Sequence, residues 1–309
     1  MNENPTPDPV VRVRSLSRTY GTKAALRDVS LEIPRGVVLG LVGANGAGKT
    51  TLIKHLLGLL RAQQGSVEVF GLNPVRSALE VLGRLGYLSE DRDLPPWMTV
   101  SELLRYSRAF YPRWDPEYAE QLRTRFQLAA SARIRHLSKG ELAKTGLLVA
   151  LAHRPELLVL DEPSSGLDPI VRRAMLEAVV RSVADEGRTV LFSSHLLDEI
   201  ARVSDRVAMI AQGRLVLEGT LPWILESHRR VVVRLPGQGL AGAALPGVLS
   251  IAGGPGEWIL ICNGGTAALV ESLRAMRGEV VEDSVATFEE IFHSRVSPLG
   301  NSTPVTQNR

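Results

Sequence analysis

Residues 43–51 read Gly-Ala-Asn-Gly-Ala-Gly-Lys-Thr-Thr and follow the apolar run Val37-Val38-Leu39-Gly40-Leu41-Val42. A buried strand that enters a glycine-rich turn and then a helix, here Thr50 to Leu60, is the setting for phosphate binding. Gly43, Gly46 and Gly48, with Asn45 and Ala47 between them, let successive backbone N–H groups point at phosphate oxygens. The helix that starts there adds its positive end. Lys49 can then reach the outer phosphates, the Thr50 hydroxyl can ligate Mg²⁺, and Thr51 completes the turn. This chemistry is nucleoside triphosphate binding.

A second group of residues supplies chemistry to act on that phosphate. Leu157-Leu-Val-Leu-Asp-Glu-Pro163 is four apolar residues followed by two carboxylates. Asp161, at the strand end, is placed to hold Mg²⁺ through water, and Glu162 to orient or deprotonate the attacking water. A buried strand ending in a solvated acidic turn would give the same letters. The phosphate-binding turn in the same chain favours the chemical reading.

These residues need a scaffold, and the pattern of the chain supplies one. Val10–Val13, Ser30–Ile33 and Gly65–Gly71 read as short strands of a small antiparallel layer, punctuated by Gly21 and Pro34. Residues 94–150 are helix-rich. Ser101 with Glu102 reads as a helix start, with Leu103, Leu104, Ser107 and Phe110 on one face. Val190–Ser194 and Arg206–Ala211 are apolar strands around the helical stretch Leu196–Val203. Strands alternating with helices around a phosphate-binding turn predict an α/β fold with a mostly parallel, doubly wound sheet. Beyond Thr220–Ser227 the character changes. Arg230–Leu235 and Glu257–Cys262 read as strands, Thr266–Arg277 as a helix, Val280–Glu282 as extended and Thr287–Phe292 as a last helix. Pro236–Gly256 reads as a Gly/Ala/Pro-rich loop. Residues 229–295 are thus expected to form a small α+β appendage, with residues 1–9 and 296–309 disordered.

Bulk properties narrow the partners. The chain has 309 residues, 44% hydrophobic and 22% charged, as soluble globular proteins do. A net charge of +3 without a lysine-rich tail gives no sign of a nucleic-acid arm. The single cysteine, Cys262, rules out an intrachain disulfide and fits a reducing compartment. The polar, proline-containing start reads as neither signal nor transit peptide, and no apolar run nears the roughly 20 residues of a membrane span. The expectation is a cytoplasmic protein that borrows any membrane role from a partner.

Between the two phosphate motifs lies Leu137-Ser-Lys-Gly-Glu141, just before the helical run Leu142–Ala152. In this place and order it resembles the signature of the ATP-binding-cassette (ABC) ATPases, usually Leu-Ser-Gly-Gly-Gln. The resemblance covers residues 10–225. It implies a P-loop NTPase fold with a RecA-like parallel sheet core, an antiparallel β subdomain and a helical subdomain at about 92–150, within a domain at 10–226. It also implies that Ser138 and Gly140 present a hydroxyl and a helix N-terminus to the ATP of an opposing subunit. Tyr20 matches the aromatic that stacks on adenine. Asp168, in Ser165-Gly-Leu-Asp168, matches the loop that couples two sites across a dimer, and His195, in Ser193-Ser-His195, matches the histidine that contacts the γ-phosphate. By this resemblance Glu162, His195 and Lys49 are the catalytic group, with ATP and Mg²⁺ as cofactors.

The chain departs from the usual pattern at two places. Glu90, in Leu85-Gly-Tyr-Leu-Ser-Glu90, stands where the family usually has a glutamine that reaches Mg²⁺ or its water. Lys139 and Glu141 replace the first glycine and the glutamine of the signature, and Lys139 is expected to point to solvent rather than to the phosphate. These features, with Phe110-Tyr-Pro-Arg-Trp-Asp115 and the closing Val285–Phe292, resemble bacterial ABC-2-type exporter ATPases and, more loosely, the YtrB-like branch. The resemblance implies an ATPase subunit, as homodimer or heterodimer with a paralogue, that powers a separate membrane permease from the inner face of the membrane. Trp97, Tyr106, Phe110, Tyr111 and Trp114 are either a groove for that permease or ordinary core. A soluble ABC ATPase working on DNA, the ribosome or an assembly is the alternative. The single cassette and the lack of a long coiled-coil insertion argue against it, and no nucleic acid is expected.

Overall fold

The computed structural model describes residues 8–168, 172, 180, 187–235, 240, 245–254 and 256–296. They fall into two compact units, divided between Leu215 and Val216.

The first unit is built on a parallel sheet. Its central strand β3 (Val38–Val42) is buried throughout, and β7 (Thr189–Ser194) and β8 (Arg206–Ala211) pair with it in parallel on either side. β6 (Leu157–Asp161) continues the sheet beyond β7, and β5 (Leu85–Leu88) forms the edge. A sixth strand, β9 (Arg214–Thr220), follows β8 and carries the chain across the unit boundary. β3, β6 and β7 are buried along their whole length, as a sheet covered on both faces requires. The loops at their C-terminal ends hold the P-loop, the two carboxylates and His195, where open parallel sheets place ligands.

A three-stranded antiparallel sheet orders β2 (Lys23–Ile33), β1 (Val11–Tyr20) and β4 (Gln64–Val69). Here the hairpin runs far beyond the short strands expected at Val10–Val13 and Ser30–Ile33. The alternation that marks a strand is interrupted by bulges. Ser15 and Asp28 sit at positive φ, and their N–H groups are taken by Ser30 Oγ and Ser17 Oγ at 2.9 Å. The hairpin closes at Tyr20 and Lys23.

Helix α1 (Lys49–Leu56) is shorter than the expected Thr50–Leu60, because Gly58 turns left-handed at φ +71°. After α2 (Ala78–Leu82), the helix-rich segment contains α3 (Val100–Arg108), α4 (Pro116–Arg125), a 3₁₀ turn at Ile134–His136 and α5 (Lys139–Leu151). The start of α3 corrects the expectation at Ser101. Thr99 is the N-cap, its side chain and Glu102 closing a reciprocal capping box. Helix α6 (Leu197–Val203) follows β7.

The second unit holds α7 (Leu221–Glu226) and a four-stranded antiparallel sheet ordered β11 (Val248–Gly254), β12 (Glu257–Asn263), β10 (His228–Arg234) and β13 (Glu279–Val285). Helix α8 (Ala267–Ala275) covers its core of Val231, Val233, Leu260, Leu269 and Leu273, and α9 (Phe288–Val296) closes the unit. Strand β11 lies in what reads as the loop Pro236–Gly256, because its two glycines and alanine hide the alternation. Val296 ends α9 instead of starting a tail. Residues 1–7 and 297–309 lie outside the described residues. Among the described residues, no helix is long and apolar enough to cross a membrane.

Candidate nucleotide site

The glycine-rich turn is threaded between two strands that leave no room for a side chain at Gly43 or Gly48. A Cβ at Gly43 would lie 2.4 Å from the Ile210 carbonyl oxygen, and one at Gly48 2.7 Å from that of Ala25. Gly48 also adopts φ +118° as the N-cap of α1, which only glycine takes without strain. The turn lines a cleft of about 310 Å³ together with Tyr20, Lys23, Glu90 and Glu162. Asn45, Gly46, Gly48, Lys49, Thr50 and Thr51 all face it, while Gly43 and Ala47 are buried beneath.

Lys49 is 5% exposed. Its Nζ donates to the Gly43 carbonyl at 2.6 Å and pairs with Glu162 Oε1 at 3.0 Å. The other oxygen, Glu162 Oε2, accepts from His195 Nδ1 at 2.8 Å, so Nδ1 carries a proton. One carboxylate thus joins the P-loop lysine to the strand-end histidine. Glu162 holds this place at φ +46°, a left-handed backbone that costs a non-glycine residue free energy. Its N–H donates to Ser193 Oγ at 3.1 Å, and that hydroxyl donates to Asp161 Oδ1 at 2.6 Å. A single serine of β7 therefore holds the Asp161 side chain at the end of β6 and the Glu162 backbone just beyond it.

Two further residues support this loop and escaped the sequence reading. Arg92 is buried, and its Nη2 donates to the carbonyls of Pro163 and Ser165, each at 2.8 Å. Burial pushes its pKa below the usual arginine value. In sequence it stands between Asp91 and Asp93 and reads as part of a solvated charge run. Glu199 of α6 accepts from Ser164 Oγ and Ser194 Oγ, each at 2.8 Å, and Arg172 lies 3.6 Å away. It reads in sequence as an ordinary acidic residue of a helix first turn. The recoverable signal was position: Arg92 lies two residues beyond Glu90, and Glu199 four beyond His195.

Thr50 and Glu90 face the cleft, and buried Asp161 stands at the end of β6. A hydroxyl and two carboxylates form an all-oxygen donor set, which suits Mg²⁺ when phosphate oxygens and water complete the shell. Accordingly, no cluster of three or more His, Cys, Asp or Glu side chains forms a protein-only metal site among the described residues. Tyr20 is 44% exposed at the cleft rim, with the Arg18 guanidinium 4.8 Å from its ring centroid.

The signature residues are elsewhere. Ser138, Gly140 and Asp168 do not line this cleft. Ser138 is the exposed N-cap of α5 and forms a capping box with Glu141: Ser138 Oγ donates to Glu141 Oε2 at 2.6 Å, and Glu141 N–H donates back to Ser138 Oγ at 3.3 Å. The glutamate that replaces the family glutamine thereby fixes the serine hydroxyl. Gly140 has open space where a Cβ would stand. Lys139 is exposed and does not enter the cleft. Its stem runs beside Gly166, whose Cβ would lie 3.5 Å from Lys139 Cδ.

The aromatic cluster divides. Trp97, Tyr106 and Phe110 are 66%, 51% and 63% exposed, with Tyr106 and Phe110 packed edge to face at 5.0 Å. Tyr111 is half-buried, stacked 4.0 Å from the buried His153. Trp114 is half-buried beside it at 6.4 Å.

Comparison with known proteins agrees with this geometry. Residues 26–165 match the family described as ABC transporter. The chain is 36% identical to the daunorubicin resistance ATP-binding protein DrrA3 of Streptomyces coeruleorubidus, over 77% of this chain and 78% of that protein. It is 30% identical to the ABC transporter ATP-binding protein YtrB of Bacillus subtilis (strain 168), over 72% and 76% of the two chains. A solved ATP binding subunit of an ABC transporter is 30% identical and superposes with a TM-score of 0.65, covering 70% of this chain and 92% of that one. The chain belongs to the ABC transporter ATP-binding proteins, the ATP-hydrolysing subunits of those transporters.

Proposed function

We propose that two cassettes close head to tail around two ATP molecules, each site joining the P-loop cleft of one chain to Ser138 and Gly140 of the other, and that this closure drives a separate membrane permease. One observation carries the reading. The cleft gathers Tyr20, the P-loop, Glu90 and Glu162, while the exposed Ser138 and the half-buried Gly140 lie outside its lining on the same chain. A helix N-terminus with a fixed serine hydroxyl and a bare glycine beside it suits a γ-phosphate brought by a second chain.

In this mechanism Tyr20 stacks on adenine, and Lys49 exchanges its pairing with Glu162 for the outer phosphates. Glu162 then takes the proton of the attacking water. His195, fixed through Nδ1, holds that carboxylate in place and turns its other nitrogen towards the γ-phosphate. Bound Mg²⁺, held by Thr50 with Asp161 and Glu90 through oxygen, would neutralise charge developing on the β- and γ-phosphates. Asp168 links the two sites across the dimer. The exposed Trp97, Tyr106 and Phe110 form the surface that receives the permease, which holds the chain at the inner face of the membrane. The name of DrrA3, a drug-resistance protein, favours export as the direction.

Glu162→Gln tests the reading. It keeps the volume and removes the base, so with saturating ATP the mass by light scattering should double while hydrolysis stops. A variant that stays monomeric and hydrolyses at the wild-type rate removes Glu162 from this role.

A further inference from the structure

A second cavity of the first unit, about 340 Å³, is slightly larger than the nucleotide cleft. It opens among the end of α1, strand β4 and the loop that precedes α2. His55, Arg61, Ser66, Asn73 and Arg76 line it, and no carboxylate does. Two glycines fix its frame. A Cβ at Gly58 would come within 2.3 Å of the Pro74 carbonyl oxygen, and one at Gly65 within 2.3 Å of that of Arg14. The walls are therefore backbone packed on backbone, which resists collapse. Asn73 Oδ1 accepts from the N–H groups of Val75 and Arg76 at 3.1 Å each, anchoring the root of Arg76.

The two guanidinium groups and one imidazole nitrogen here are unspent among the described residues. Arg61 and Arg76 are exposed, and neither guanidinium has a carboxylate partner among the described residues. His55 is 1% exposed. Its Nδ1 lies 2.8 Å from the Thr51 carbonyl, which can only accept, so the proton sits on Nδ1. Nε2 is left as a buried acceptor with no partner among the described residues, a desolvation cost that a ligand donor would offset. Burial first, and the charge of Arg18 second, push the His55 pKa down, which keeps the ring neutral and accepting.

We infer that this cavity is a second ligand site, for a small phosphate ester that also carries a hydroxyl. Its phosphate lies between Arg61 and Arg76, and its hydroxyl donates to His55 Nε2. Guanidinium forks match phosphate geometry, and two of them in a concave wall free of carboxylates give it a place to bind. The site stands apart from the nucleotide cleft and does not depend on the reading of that cleft.

Glycerol 3-phosphate is a suitable probe, since it carries a phosphomonoester and two hydroxyls but no base. Titrated by calorimetry into the full chain, with the P-loop saturated by MgADP, it should bind one molecule per chain. Arg61→Ala with Arg76→Ala should weaken this binding about tenfold or more, leaving MgADP affinity unchanged. Methyl phosphate, which lacks the hydroxyl, should bind about tenfold more weakly than glycerol 3-phosphate. Absence of binding by the wild-type chain, or undiminished binding by the double variant, overturns the site. Equal affinity for the two phosphate esters overturns the contact with His55.

Discussion

Lys49 and Ser138 belong to one unit yet sit in opposite surroundings. The lysine is almost wholly buried, held by a carbonyl and by the carboxylate of Glu162, which His195 holds in turn while Ser193 fixes the Glu162 N–H. The serine stands exposed at a helix start, its hydroxyl bonded to Glu141 of its own first turn. The first arrangement is over-determined: left-handed Glu162 is kept in place by hydrogen bonds from three directions. The second is a capped helix N-terminus with an open front. A complete catalytic pocket would be cross-linked on all sides. A half that awaits its counterpart is ordered from behind and bare in front, as the α5 start is.

This contrast predicts unequal responses to substitution. The largest is at Glu162, where Glu162→Gln should slow hydrolysis by about 100-fold or more, with ATP binding kept; retained turnover would place the base elsewhere. Next is Arg92, which supports the cleft without touching the nucleotide. Arg92→Met keeps the apolar volume but leaves the Pro163 and Ser165 carbonyls unpaired. It should lower kcat about tenfold through the loop that carries Glu162, with KM for ATP little changed, and cost about 2 kcal/mol in urea unfolding. An equal rise in KM would instead make Arg92 part of ATP binding.

The other end of α5 responds to pH. His153 is buried against Tyr111, with Nε2 3.2 Å from the Leu85 carbonyl, and burial pushes its pKa to about 4 from the ordinary 6.5. Between those values the unfolded chain binds the proton that the folded chain refuses, so stability falls as pH drops below about 6.5. The loss from pH 7 to pH 5 should be about 2 kcal/mol by denaturant titration, and His153→Phe should abolish that part of the slope. The smallest effect is expected at the exposed start. Ser138→Ala removes the cap and should cost about 1 kcal/mol, while Ser138→Thr should keep the stability. A loss of several kcal/mol would mean that Ser138 is structural in a way its exposure does not suggest.

The sequence made the catalytic elements legible because each is a local pattern. Gly43 to Thr51 and Leu157 to Glu162 combine strand, turn and chemistry within a few residues. What it concealed depends on contacts between distant segments. Arg92 looks solvated beside two aspartates until the loop after Glu162 closes over it. The hairpin of β1 and β2 is hidden by bulges at Ser15 and Asp28, and β11 by its glycines. Thr99 was passed over for Ser101, although Glu102 three residues on completes the box only with Thr99. Apolar periodicity placed Phe110 on one face with Leu103, yet Leu103 is buried and Phe110 stands 63% exposed beyond the last turn of α3.

The shared-site arrangement is tested most directly by cross-linking the two halves. Ala44, exposed in the P-loop, and Lys139, exposed at the α5 start, can both be changed to cysteine in the Glu162→Gln chain, where the native Cys262 is buried. A short thiol-specific cross-linker should then give covalent dimers with ATP and none with ADP, and neither single-cysteine chain should give them. If only monomeric adducts form at saturating ATP, the P-loop of one chain does not meet the signature of another.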